Sequence, residues 1–274
     1  MLSRLSTGLA AALFVALVAC GTAGQATPTG VPGLVDVGDR LLYLTCLGEG
    51  SPTVVLEAGG EGNSDAWSPV QPGIAEFTKV CAYDRAGEGF SASVPAHGDI
   101  EAMVRDLHAL LGAANIPGPY VLVGHSFGGR LVPAFAELYR AEVAGMVLID
   151  PGHEGFLARA EQELAQDDWD LYSEASGGVA ARMRRMEGDL RVGPPGDIPL
   201  VVLSASRRID RPGLSDDLNE KLHRVLTDLH KELAAGSPQG THITADDSGH
   251  GIQFDRPDIV LDAVRHVLGA VDRR

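Results

Sequence analysis

Ser126 stands in Tyr120-Val-Leu-Val-Gly124-His125-Ser126-Phe127-Gly128-Gly129, with a glycine two residues away on either side. A serine hydroxyl is a poor nucleophile at neutral pH and needs a base within hydrogen-bond reach. In a chain with 34 glycines the bare Gly-x-Ser-x-Gly pattern is weak on its own, so its setting matters. An apolar run leads into the motif and an amphipathic stretch leaves it, which predicts a sharp strand-to-helix turn that lifts the Ser126 hydroxyl above a sheet. Gly124 and Gly128 leave room for that turn. The helix start would point free amides and a positive dipole end at an oxyanion formed during acyl transfer.

Nine histidines could supply the base. His250 is the preferred one, because Asp247-Ser248-Gly249-His250-Gly251 lies between a β-branched run and a helical stretch. That places it on a loop at the sheet edge where Ser126 is expected. His125 adjoins the serine but points elsewhere in so tight a turn. His108, His223, His230 and His266 fall in helical stretches and read as surface or packing residues, while His97, His153 and His242 stay open as wall residues.

The elements that must position these groups follow an alternating pattern. Short β-branched apolar runs at 41–46, 53–57, 80–83, 120–123, 146–149, 200–203 and 241–245 read as strands. The stretches 101–111, 127–140, 215–235 and 257–268 read as helices, the last opened by Pro257, whose missing amide would be unpaired there anyway. Strands alternating with helices in a chain of 274 residues, 45% hydrophobic, predict a single α/β domain with a mostly parallel central sheet and helices on both faces. A formal charge of −15 argues against binding to nucleic acid phosphates. No HExxH and no paired CxxC is present, so neither a metal nor any other cofactor is expected.

From Val35 to Leu268 the chain resembles the α/β-hydrolase superfamily. The resemblance is carried by Leu56-Glu-Ala-Gly59-Gly60 before Trp67, Tyr83-Asp84-Arg85-Ala-Gly87-Glu-Gly89-Phe-Ser91, the turn at Ser126, and Ser248-Gly249-His250. It implies an α/β-hydrolase fold and a serine, acid, histidine order along the chain. It also implies an oxyanion hole from the Gly60 and Phe127 amides, with Glu61 as a near neighbour. Where relatives carry His-Gly before the oxyanion residue, this chain has Ala58-Gly59. Two aspartates fit the acid: Asp150 after the 146–149 strand, preferred, and Asp210 in the loop after the 200–203 strand. The family inserts a short helical cap at about 152–198, where Phe156, Trp169 and Tyr172 either line an acyl pocket or pack the cap itself; an acidic helical part precedes a basic part at 182–191. In this fold the strands carrying Cys46 and Cys81 are antiparallel neighbours, which makes a disulfide between them reasonable.

The third cysteine has a different reading. Residues 1–19 carry Arg4, then an apolar run at 9–18 too short to span a bilayer, and end Leu17-Val18-Ala19-Cys20. This resembles a bacterial lipoprotein signal, with Cys20 the lipidated residue, 20–34 a flexible tether and 35–274 the hydrolase domain. Removal of 1–19 takes away one positive charge and no negative one, so the acidity belongs to the exported part. The expectation is therefore an exported, membrane-anchored serine hydrolase acting on a small carboxylic ester. An amide or peptide hydrolase, a non-catalytic binding protein of the same fold, and a secreted soluble form are the alternatives.

Overall fold

The computed structural model describes residues 33–94, 98–176 and 192–273. The signal 1–19, Cys20, the tether up to residue 32, His97 and the basic stretch 182–191 lie outside the described residues. Gly33 and Leu34, assigned to the tether by sequence, instead open an edge strand, β1 (Gly33–Asp36), and pair with Leu44 and Tyr43. β1 is short and only half covered, so its sequence carries little of the apolar run that marks a buried strand.

The remaining strands are β2 (Leu41–Leu47), β3 (Thr53–Glu57), β4 (Val80–Tyr83), β5 (Tyr120–His125), β6 (Val143–Ile149), β7 (Leu200–Ala205) and β8 (Gly240–Ala245). They form one eight-stranded sheet in the order β1-β2-β4-β3-β5-β6-β7-β8. The β1–β2 and β2–β4 pairings are antiparallel and all others parallel. Parallel strands are covered on both faces, and their side chains alternate between two cores. Tyr120 and Leu122 of β5, Met146 and Leu148 of β6, and Leu200 and Val202 of β7 enter one cluster; Val121, Val123, Val147, Ile149, Val201 and Leu203 enter the other.

Helix α1 (Gln71–Ala75) packs beside β4. The first core is closed by α2 (Ile100–Ala113) and α3 (Gly128–Leu138). In α2, Ile100, Met103, Val104, Leu107, Leu110 and Leu111 form the buried stripe, and the Asp99 carboxylate caps the Ala102 amide at 2.9 Å. Between β6 and β7 lie α4 (Phe156–Glu163) and α5 (Gln166–Ala175), which pack with α6 (Asp216–Ala235) in a separate third cluster. Helices α4 and α5 fall within the stretch 152–198 where a cap was expected. After β8 come α7 (Ile252–Asp255) and α8 (Pro257–Val271), whose Val260, Ala263, Val264 and Val267 close the second core.

Cys46 and Cys81 are register partners on β2 and β4 and form a disulfide with a Cα–Cα distance of 4.1 Å.

Candidate active site

The strand β5 ends at His125, and the chain turns within one residue into α3. Ser126 sits at that corner with φ of 52°, in the left-handed region that a residue with a side chain seldom adopts. The corner survives because its neighbours have no side chains. A Cβ on Gly124 would stand 2.5 Å from the Gly128 carbonyl oxygen, and one on Gly128 would strike the Glu57 carbonyl oxygen at the end of β3.

His250 arrives from the other end of the sheet on the loop after β8. Its Nε2 accepts a hydrogen bond from the Ser126 hydroxyl at 2.8 Å, and its Nδ1–H donates to Asp150 Oδ2 at 2.6 Å. Asp150 follows β6 directly, at φ of 41°, and is held by β7: its amide donates to the Leu203 carbonyl at 2.7 Å and its Oδ1 accepts from the Ala205 amide at 3.0 Å. Burial alone would raise the Asp150 pKa, but the His250 and Ala205 hydrogen bonds outweigh it and hold the carboxyl below its ordinary value. The structure thus brings together Ser126, His250 and Asp150. Asp210, the alternative acid, is not among them: its side chain is 75% exposed and paired with Arg208 at 2.8 Å, because the loop after β7 carries it outward.

The loop after β3 lies against the start of α3. A Cβ on Gly60 would stand 3.9 Å from Phe127 Cβ, so the two candidate oxyanion residues are side by side. Among the described residues, neither the Gly60 nor the Phe127 amide donates to a protein acceptor. The carbonyls of this loop point the other way, into the Arg85 guanidinium. Arg85 Nη1 donates to the Ala58 carbonyl at 2.7 Å, and Nη2 donates to the Gly59 carbonyl and, at 3.4 Å, to that of Gly62. In a trans peptide the C=O and the following N–H are opposed. Arg85, by holding the Gly59 carbonyl, therefore turns the Gly60 amide away from itself and leaves it free on the side of the loop opposite the guanidinium. Arg85 stands in the Tyr83-Asp84-Arg85 motif, where nothing local in the sequence marks this task.

Two further polar contacts were not foreseen. His125, expected to point elsewhere, has its ring 4.8 Å from that of His250, and its Nε2–H donates to the His250 carbonyl at 2.8 Å and so fixes the backbone of the base. Behind Asp150 runs a buried chain. His230 Nε2–H donates to the Pro151 carbonyl at 2.7 Å, leaving its Nδ1 to accept from Ser204, whose oxygen in turn accepts from His242 Nε2–H, both at 2.8 Å. His242 is therefore a member of this chain, whereas His153 lines the cavity beside Ser126. That cavity, about 190 Å³, also takes in Phe156 and Tyr172, while Trp169 packs within the cap cluster. Among the described residues no group of three or more His, Cys, Asp or Glu is arranged to hold a metal ion.

Burial lowers the pKa of both His125 and His230 to about 4, so both are neutral in the fold. An unfolded histidine takes up its proton near pH 6.5, so between pH 6.5 and about 4 the unfolded chain binds more protons than the folded one. The stabilisation is whole above pH 6.5 and is lost as the pH falls toward 4, by roughly 3 kcal/mol for each imidazole. Asp150, with its lowered pKa, acts only below its ordinary 3.8, whereas Glu57, whose pKa burial raises, works in the opposite sense within the window and offsets part of the loss. Urea denaturation at pH 7 and pH 4.5 is expected to show the loss; equal midpoints would contradict the burial of two neutral imidazoles.

Residues 52–224 match the sequence pattern of the alpha/beta hydrolase fold family. The uncharacterized protein YqjL of Bacillus subtilis is 27% identical over 231 residues, covering 80% of this chain and 85% of its own. Several further curated relatives share a stretch that spans less than half of their length. Among solved structures, a thermophilic esterase from Thermogutta terrifontis superposes with a TM-score of 0.64 at 21% identity, over 88% of this chain and 99% of its own. The enol-lactonase of Burkholderia xenovorans superposes with a TM-score of 0.62 at 19% identity, over 86% of this chain and all of its own.

Proposed function

Because this chain belongs to the alpha/beta hydrolase fold family, we propose that it is a serine hydrolase cleaving a small carboxylic ester through an acyl-enzyme intermediate. The observation that carries the proposal is the continuous hydrogen-bonded chain from Asp150 through His250 to Ser126, 2.6 and 2.8 Å long. Ser126 Oγ attacks the ester carbonyl while His250 Nε2 takes its proton, and Asp150 stabilises the imidazolium that forms. The Gly60 and Phe127 amides receive the oxyanion, and the dipole of α3 adds to their field. On collapse, His250 gives the proton to the departing alkoxide, and water then repeats the sequence to release the acid. Similarity to an esterase and to a lactonase, both named for carboxylic ester substrates, supports an ester over other acyl compounds.

The proposal extends to location: an exported protein held at a membrane by lipid on Cys20. The Cys46–Cys81 disulfide supports an oxidising compartment. One experiment addresses both parts. In cells expressing the full chain, a fluorophosphonate probe is expected to label the protein in the membrane fraction, on the peptide containing Ser126. Ser126→Ala should abolish labelling and Cys20→Ser should move the labelled band to the soluble fraction. Equal labelling of Ser126→Ala would end the hydrolase reading, and an unchanged distribution of Cys20→Ser would end the anchor.

A further inference from the structure

The loop after β7 carries three arginines, and they differ in what they face. Arg207 pairs with Asp255 at 2.8 Å, and Arg208 reaches Asp210 and Asp216 at 2.8 and 2.5 Å. Arg211 turns inward. It lines the cavity that holds Ser126 and His250, and among the described residues it has no carboxylate partner. Its guanidinium makes one hydrogen bond, from Nη1 to the Ile209 carbonyl at 3.2 Å, and lies 6.0 Å from the centre of the Tyr172 ring. Among the described residues, one of its five N–H donors has an acceptor.

In a chain of net charge −15, a guanidinium left without an acid is a departure that asks for a cause. Arg211 is also half-buried, and burial lowers its pKa, so the empty fork carries a desolvation cost. It is held in place, since its own amide donates to Asn219 Oδ1 at 3.1 Å and Asn219 is buried on α6. Arg130 of α3 lines the same cavity. The carboxylates there are Asp150, engaged with His250, and Glu154, which is exposed. Phe156, Leu157 and Leu226 supply apolar wall to the same cavity.

We propose that the substrate bears a carboxylate in addition to the scissile ester, and that Arg211 is the specificity residue that receives it, fork to fork. This rests on the hydrolase reading of the same site. A carboxylate would occupy the idle donors in the two-pronged geometry that a guanidinium offers and an ammonium does not. The cavity of about 190 Å³ is below the size usual for a drug-like ligand, which suits a short acid ester.

The test compares matched ester pairs in which a carboxylate replaces a methyl on the acyl side or a ring hydrogen on the alcohol side. The p-nitrophenyl esters of pentanoate and of glutarate probe the acyl side; phenyl acetate and 3-carboxyphenyl acetate probe the alcohol side, all after subtraction of the uncatalysed rate. In wild type, kcat/KM is expected to favour the anionic member of one pair at least tenfold. Arg211→Gln should lower that anionic-to-neutral ratio by at least tenfold, and Arg211→Lys should restore part of it. A general disturbance of the site would lower both members alike and leave the ratio standing. As a second measurement, glutarate and not glutaramide should inhibit wild-type turnover of the neutral ester competitively. Turnover of neutral esters with no anionic preference in either pair, or an unchanged ratio in Arg211→Gln, overturns the inference alone. If wild type turns over none of these esters and takes no fluorophosphonate label, the hydrolase reading falls, and this inference with it.

Discussion

Asp150→Asn is expected to lower kcat for a p-nitrophenyl ester by about 10⁴-fold with little change in KM, while Asp210→Asn retains wild-type turnover. The size of the loss follows from the donor count at the carboxylate. Two N–H groups face its two oxygens: the Ala205 amide on Oδ1 and the His250 imidazole on Oδ2. Asparagine offers one acceptor and one NH₂ group. The Ala205 amide cannot give up its hydrogen, so it claims the oxygen, and the NH₂ group is left facing His250 Nδ1. Imidazole can oblige by moving its proton to Nε2. In that tautomer Nε2–H points at Ser126 and can no longer accept the hydroxyl proton, so the base is present, correctly placed and inert. Asp210 has no such position, being paired with Arg208 on an exposed loop. Retention of more than a tenth of kcat by Asp150→Asn, or collapse in Asp210→Asn alone, would mean that another acid orients His250.

The choice between these two aspartates shows where sequence reading stops. Ser126 and His250 were legible because local pattern fixes them: an apolar strand broken by glycine, and a short polar loop between a strand and a helix. The acid depends on how far two strand ends project, which is a property of the assembled sheet. Both β6 and β7 end in plausible loops. Asp150 is set apart because its amide donates to the Leu203 carbonyl and its Oδ1 accepts from the Ala205 amide, both across the β6–β7 pair, which leaves Oδ2 to His250. The core strands were readable for the same local reason, since buried runs such as 53–56 and 80–83 consist of apolar or β-branched residues. The edge strand β1 was not, because it is half exposed and four residues long. Arg211 was not legible for a different reason: it shares one loop with Arg207 and Arg208, which pair with carboxylates, and only the fold shows that the third faces the cavity. Composition counts charges and cannot say which of them lacks a partner.

Arg85→Met is expected to reduce kcat by about 10²- to 10³-fold and to destabilise the fold by about 3–5 kcal/mol, through two separable causes. The stability loss belongs to Glu57. Its side chain is 2% exposed, its Oε1 lies 2.5 Å from Arg85 Nη1, and its Oε2 accepts from the Tyr83 hydroxyl. Burial pushes the Glu57 pKa up even with Arg85 in place, so removing the guanidinium leaves a carboxyl that must bury an unpaired charge or take up a proton. The rate loss belongs to the loop. Without Arg85 the Ala58 and Gly59 carbonyls lose their donor, and the peptide between Gly59 and Gly60 is free to rotate its amide away from the oxyanion. Lysine in place of Arg85 is expected to keep much of the stability and little of the rate, because a single ammonium cannot span Glu57, Ala58 and Gly59 as a planar fork does. The decisive variant is the double replacement Glu57→Gln with Arg85→Met. It removes the unpaired buried acid and should recover most of the lost urea midpoint while kcat stays low. If the double variant recovered its rate along with its stability, the loop would be holding its own shape, and Arg85 would be no more than the counter-charge of Glu57.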